Sequence, residues 1–159
     1  MAAPTPSARV APTGIKLKDG YRSLVTYALD TDFSVWEKGV QPAGIDGGDE
    51  IDQTTMWNDV WRTSAPRSLL TLTPFTFRFA FDPNIYNQAD LELINRETTI
   101  TERFSDGSTL AFYGFMKMID FDEMVEGEQP EGTITSVPTN FDPTNKVEAG
   151  PVLTSVAGT

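Results

Sequence analysis

The chain reads as an all-β protein, an antiparallel β-sandwich or barrel carrying one flanking α-helix, a long assembly loop and extended termini. Two observations predict this. Short segments with alternating apolar residues recur along the chain, as in SLLTLTPFTFRFAF over 68–81 and STLAFYGFMKM over 108–118. Turn pairs of the Asp-Gly type separate several of them, at Asp19-Gly20 and Asp106-Gly107. With 159 residues, one domain is expected. Its parts are an N-terminal arm over 1–14, a β domain over 15–137 and a C-terminal arm over 138–159.

The opening MAAPTPSARVAPTG has no apolar core and is expected to be a flexible arm, not a secretory signal. Residues 15–29 hold two short apolar segments joined by Asp19-Gly20, and FSVWE over 33–37 extends the β region. The stretch 38–66 shows no apolar period over its acidic, glycine-rich first half and is expected to be a long loop. In the strand 68–81, Leu70 and Leu72 lie on even positions, whereas Phe75, Phe77, Phe79 and Phe81 lie on odd ones. Pro74 sits where the parity flips, so a bulge there would bring all six to one face and send Thr76, Arg78 and Ala80 to the other.

Asp82 and Pro83 form an N-cap and a first helical residue. At about 100° per residue, Ile85, Tyr86, Ala89, Leu93 and Ile94 share one arc, which predicts a helix over 83–95. The Asp106-Gly107 turn then joins TTITERF to STLAFYGFMKM. In the second of these, Leu110, Phe112, Met116 and Met118 point one way and Ala111, Tyr113, Phe115 and Ile119 the other. A strand apolar on both faces is covered twice or meets another subunit, which makes Tyr113 and Phe115 candidate inter-subunit residues. A second acidic loop over 120–132, the short strand TITSV over 133–137 and an extended, proline-punctuated tail complete the chain.

The chain has neither cysteine nor histidine. This removes disulfides, thiolate metal sites and every triad that needs an imidazole. Twenty-three acidic residues against twelve basic ones leave a net charge of −11. Such a surface repels nucleic acid. It serves either solubility or passage of DNA without sticking, and charge does not choose between them. No apolar run approaches the roughly eighteen residues a membrane span needs.

The acidic stretch GIDGGDEID over 44–52 resembles a cation loop. Counted from Asp46, however, Ile51 stands at the position of the EF-hand glycine and Trp57 at that of its glutamate. A solvated connector fits better than a Ca²⁺ site built from Asp46, Asp49, Glu50 and Asp52. Acidic pairs for a glycosidase have no defining spacing here. Neither catalysis nor a cofactor is expected. Trp57 and Trp61, four apart beside Met56 and Arg62, are read either as core packing or as a contact surface. Trp, Met and Arg are enriched in interface cores, which favours the contact surface. Asp49, Ile51, Asp52, Met56, Trp57, Trp61 and Arg62 are therefore candidate inter-subunit or ring-stacking residues.

The order of these features resembles the tail tube, or major tail, proteins of long-tailed bacteriophages. The likeness rests on three motifs spread over roughly 15–140. Gly47, Gly48, Ile51, Asp52, Thr54 and Thr55 fit a "G-G-x-x-I-D-x-T-T" stretch. Phe81, Asp82 and Pro83 fit a strand end before a helix. Asp106, Gly107, Ser108, Thr109, Phe112 and Gly114 fit a "D-G-S-T-x-x-F-x-G" hairpin. Ser105 stands where a proline is frequent, and MWNDVWRTSAPRSL departs from the usual loop.

The resemblance implies a structural virion protein made in the host bacterial cytoplasm. Its subunits would self-assemble into hexameric rings stacked as a tube through which DNA passes unbound. The loop over 38–66 would reach an adjacent ring, with other phage tail proteins as further partners and no membrane. Alternatives are a head-decoration, tail-terminator or adaptor protein on a related fold, or a Ca²⁺- or carbohydrate-binding β-sandwich module.

Overall fold

A computed structural model describes residues 23–88 and 92–156. The N-terminal arm and the turn at Asp19-Gly20 lie outside the described residues. The described chain is almost wholly antiparallel β-structure, as expected. In place of two stacked sheets, its centre is one open sheet. Strands β1 (Leu24–Tyr27), β2 (Trp36–Gln41), β7 (Phe75–Ala80), β8 (Thr98–Arg103), β9 (Thr109–Phe121) and β10 (Glu131–Pro138) lie in the order β1-β8-β9-β10-β7-β2, and β13 (Val152–Thr154) is paired to β9.

How does a single sheet enclose a core? It rolls. Tyr27 on β1 hydrogen-bonds through its hydroxyl to Ser136 Oγ on β10 at 2.9 Å. Three strand steps of a flat sheet would separate those strands by about 14 Å. The Glu37 side chain on β2 accepts a hydrogen bond from the Val25 N–H of β1 at 3.2 Å. The two edge strands thus face each other and are joined by a side chain, not by a backbone ladder.

The inner face collects Val25, Tyr27, Phe75, Phe77, Phe79, Ile100, Phe112, Met116 and Ile134, all buried. The alternation of β7 supplies three rings to it, and Phe75 packs against Phe112 at 5.8 Å between ring centres.

Two bulges determine which side chains turn inward. On β2, Glu37 pairs with Phe79 and Gly39 with Arg78, so Lys38 is the extra residue. Glu37 and Val40 therefore both lie opposite inner-face rings, and Glu37 can reach Val25. On β9, Met118 pairs with Thr135 and Met116 with Ser136, leaving Lys117 extra. The strict alternation expected for β9 fails at that point. Met118 is turned out and Ile119, expected on the opposite face to Phe112, packs against the core. A single inserted residue reverses every later side chain.

The parity flip at Pro74 is real, but the strand does not continue through it. Leu72 and Phe75 are both buried, while Leu70 is exposed. Leu72 belongs to β6 (Thr71–Leu72), which leaves the main sheet and pairs with β3 (Ile45–Asp46). Among the described residues, which leave out 89–91 and with them the predicted Ala89, the flanking helix over 83–95 is likewise not seen. Asp82 does start a helical turn, accepting the Asn84 N–H on its side chain at 3.0 Å. Among the described residues the turn spans only α1 (Ile85–Gln88). Ile94 then forms a parallel bridge to Met116, and the Asn95 N–H donates to the Met116 carbonyl at 2.9 Å. Pairing with β9 outweighs the helical period there. Tyr86, expected on the packed arc, is exposed.

The tail beyond Pro138 also departs from an extended arm. Strands β11 (Phe141–Asp142) and β12 (Val147–Glu148) form a small hairpin. Its turn is held by the Asp142 carboxylate, which accepts from the Thr144 N–H at 2.9 Å and the Asn145 amide at 2.7 Å. These hydrogen bonds hold its carboxyl below the usual range. The chain then returns as β13 against β9.

Close backbone approach explains one glycine. A Cβ on Gly132 would lie 2.6 Å from the Phe79 ring and 2.8 Å from the Asp120 carbonyl oxygen. Gly132→Ala is expected to destabilise the fold by roughly 1–3 kcal/mol through overpacking, read as a lower urea midpoint.

Among the described residues, Glu102 is the one acid on the inner face whose environment opposes its charge. It is buried, and its Oε2 has no hydrogen-bond partner. Burial raises its carboxyl to about 7. The folded protein therefore holds a proton that the unfolded chain has already lost. That stability is fully present below the ordinary glutamate range and disappears as pH rises to about 7. Glu102→Gln should raise the melting temperature at pH 8 and flatten its decline between pH 5 and 7, measured by thermal circular dichroism.

Candidate functional site

Beyond Gln41 and before Thr76, strands β2 and β7 continue past the rolled sheet as one projecting hairpin. Its ladder is intermittent. Ile45 pairs with Leu72 in β3 and β6, and β4 (Ile51–Asp52) pairs with β5 (Ser64–Ala65). Between the two ladders, the Gly48 N–H donates to Asp46 Oδ1 at 2.8 Å and Arg67 Nε donates to the Asp49 carbonyl at 2.7 Å. Gly48 has φ +76°, a conformation that side chains rarely adopt, and the Arg67 side chain lies across it.

The sequence GIDGGDEID is thus the outgoing strand of an arm. The Asp46 and Asp52 carboxylates accept turn hydrogen bonds, and among the described residues no group of three or more acids is placed to hold a metal ion.

The tip over 53–63 is organised by polar side chains. Hydrogen bonds from the Thr54 hydroxyl and from the Thr54 N–H, the latter to Asp52 Oδ1 at 2.8 Å, hold the Asp52 carboxyl below its usual range. Asn58 is the central residue. Its Oδ1 accepts from the Thr55 N–H at 2.8 Å, and its Nδ2 donates to the Trp61 carbonyl at 3.0 Å. The Thr63 N–H donates to Thr54 Oγ1 at 3.1 Å. This network fixes the backbone while turning the large side chains out.

Met56 is 98% exposed, Trp57 91%, Val60 78% and Trp61 80%. Every residue from 44 to 71 is exposed apart from Asn58 and Ala65. Core packing of the tryptophans, the alternative left open by the sequence, is therefore not what the structure has. Asp49, Ile51, Asp52 and Arg62 lie on the same arm and are exposed too. The arm therefore carries a cluster of large apolar side chains in solvent.

Tyr113 and Phe115 are placed differently. They lie on the outer face of β9, half-buried. The Tyr113 side chain is hydrogen-bonded to Asp142 of β11, and its carbonyl accepts the Thr139 N–H at 2.9 Å. The chain's own C-terminal hairpin covers part of that face, and the structure does not bring these two residues to the arm tip.

Four exposed apolar positions on the arm are not among the contact residues the sequence singles out: Ile45, Val60, Leu69 and Leu70, the last two at 78% and 69% exposure. Leu70 carried a strand-like parity, and only the break at Pro74 reveals that it leaves the core.

On the outer face of the sheet, Arg78 forms a charged network. Its guanidinium contacts Asp122 at 2.5 Å and Glu131 at 2.8 Å, and Lys38 pairs with Glu131 as well. Hydrogen bonds from Lys38 and Arg78 hold the Glu131 carboxyl below its usual range. Exposed pairs of this kind stabilise weakly and serve more to place the turn that follows β9.

No family model matches the chain, and no curated protein matches it. Solved structures do. One is a chain of the anti-feeding prophage (AFP) baseplate, seen by cryo-EM with 6-fold symmetrisation. Its TM-score is 0.59 at 6% identity, over 90% of this chain and 99% of that one. Another is a chain from the tail of the empty GTA particle, obtained by helical refinement with C6 symmetry. There the TM-score is 0.54 at 11% identity, over 89% of this chain and all of that one. The fold is shared with phage-like tail and baseplate particles. At these identities it is the fold alone that is shared.

Because the tip contributes nothing to the core, Trp57→Ala combined with Trp61→Ala should leave the monomer's unfolding free energy, measured by urea denaturation, within about 0.5 kcal/mol of the parent.

Proposed function

We propose that this chain is a structural virion subunit that catalyses nothing and self-assembles into hexameric rings stacked as a phage tail tube. One observation carries the reading: an ordered hairpin arm holds Met56, Trp57, Val60 and Trp61 in solvent at its tip. Ordering so long a projection costs conformational entropy, and its apolar side chains gain nothing until a partner buries them. The likeness to chains of six-fold tail and baseplate particles supports a ring of six.

The net charge of −11 supports a bore that passes DNA without binding it. Other tail proteins would meet the ends of such a tube, in the phage virion, after synthesis in the bacterial cytoplasm. A second reading, a baseplate or adaptor ring on the same fold, is favoured by the likeness to the AFP baseplate chain.

Negative-stain electron microscopy of the purified protein at rising concentration tests both. Stacked tubes of six-fold rings are expected. Single rings that never stack favour the baseplate or adaptor role. A monomer at every concentration overturns self-assembly altogether.

A further inference from the structure

The arm leaves the sheet at one end, where Gln41 pairs with Thr76. At the opposite end Trp36 pairs with Ala80, Ala80 with Glu131, and Gly132 with Phe121. There, three rings meet at the margin of the central core, where Phe121 packs edge-on to Phe79 at 6.2 Å. Phe81 stands edge-on to Phe121 at 5.3 Å and to Tyr86 at 6.4 Å, and Tyr86 leans on Phe121 at 5.3 Å. Tyr86 is 68% exposed.

Beside the rings runs the turn that joins β9 to β10. Met124 and Val125 are exposed on it. Residues 120–131 carry six carboxylates and no cation. Arg78 and Lys38 engage Asp122 and Glu131, which leaves Asp120, Glu123, Glu126 and Glu128 exposed.

The arm over 44–71 as a whole holds five acids against Arg62 and Arg67, and Arg67 is engaged with the arm's own Asp49 carbonyl, but the tip over 53–63 presents Arg62 with Asp59 as its single acid. Aromatic and thioether side chains pack well on the faces and edges of aromatic rings. Donor and acceptor lie at opposite ends of the same sheet, so the contact is head-to-tail. Such a contact leaves a free arm and a free seat after every addition, which is what an open stack requires.

We infer that Phe81, Tyr86 and Phe121, with the acidic turn beside them, form the seat for the arm tip of a second copy of this chain. Met56, Trp57 and Trp61 pack on the rings, and Arg62 faces Glu123 and Glu126. This rests on the self-assembly reading above.

The absence of cysteine allows a direct test on the full chain. Met56→Cys with Tyr86→Cys should give, on mild oxidation of assembled protein, a ladder of covalent multimers under denaturing electrophoresis. Met56→Cys alone should give no ladder. Tyr86→Lys, checked for folding by circular dichroism, should raise the concentration needed for assembly at least about tenfold, as loss of an interface anchor does. Met124→Cys in place of Tyr86→Cys guards against a double variant that fails to fold.

If wild-type protein assembles but neither pair forms a ladder and folded Tyr86→Lys assembles normally, the seat is wrong while self-assembly stands. If wild-type protein stays monomeric, the self-assembly reading fails and the seat fails with it.

Discussion

The roll of the central sheet is the constraint from which the remaining architecture follows. A flat six-strand sheet with Phe75, Phe77 and Phe79 on one face would leave those rings against water. Rolling brings β1 across to β10 and β2, so one sheet serves as both walls of its own core. The Tyr27 hydroxyl, on Ser136, and the Glu37 carboxylate, on the Val25 N–H, are the polar contacts that bridge the roll. Both are made possible by local irregularity. Without the bulge at Lys38, Glu37 and Val40 would not share the inner side of β2. The Val25 N–H is an edge group, and occupying it with a side chain also removes a point at which another strand could pair.

The same roll explains why the arm stands clear. Strands β2 and β7 are neighbours at the sheet edge, and both continue past the point where the core ends. Beyond Gln41 and Thr76 there is no inner face to cover, so apolar residues such as Leu69, Leu70 and Ile45 remain exposed. Hydrogen bonds made by Asp46, Asp52, Thr54 and Asn58 do locally what burial does elsewhere, holding the backbone in one shape. An arm held in one shape by polar contacts, with its tryptophans exposed, is preorganised and has little backbone freedom left to lose.

Much of the β character was legible from residue order. The phenylalanine alternation of β7 sets one face by simple period-two geometry. The Asp106-Gly107 turn joins β8 to β9, with Gly107 at φ +89°. Tight turns demand residues that tolerate such angles, so these signals are local and strong. The helix over 83–95 was misread for a complementary reason. Its apolar spacing is helical, but helices this short depend on tertiary packing, and a bridge from Ile94 to Met116 competes with it. Met118 and Ile119 exchanged faces because a bulge carries no compositional mark.

By itself the sequence determined the strand-forming segments, their turns and the exclusion of thiol and imidazole chemistry, because these depend on residue type and nearest neighbours. It also brought Met56, Trp57, Trp61 and Arg62 together as one surface, since they are close in the chain. Only the tertiary structure decided that the sheet rolls and that the tryptophans face solvent. The cluster of Phe81, Tyr86 and Phe121 at the far end of the sheet is likewise a tertiary result. Those outcomes depend on pairings between residues tens of positions apart and on single-residue bulges, and neither leaves a periodic trace along the chain.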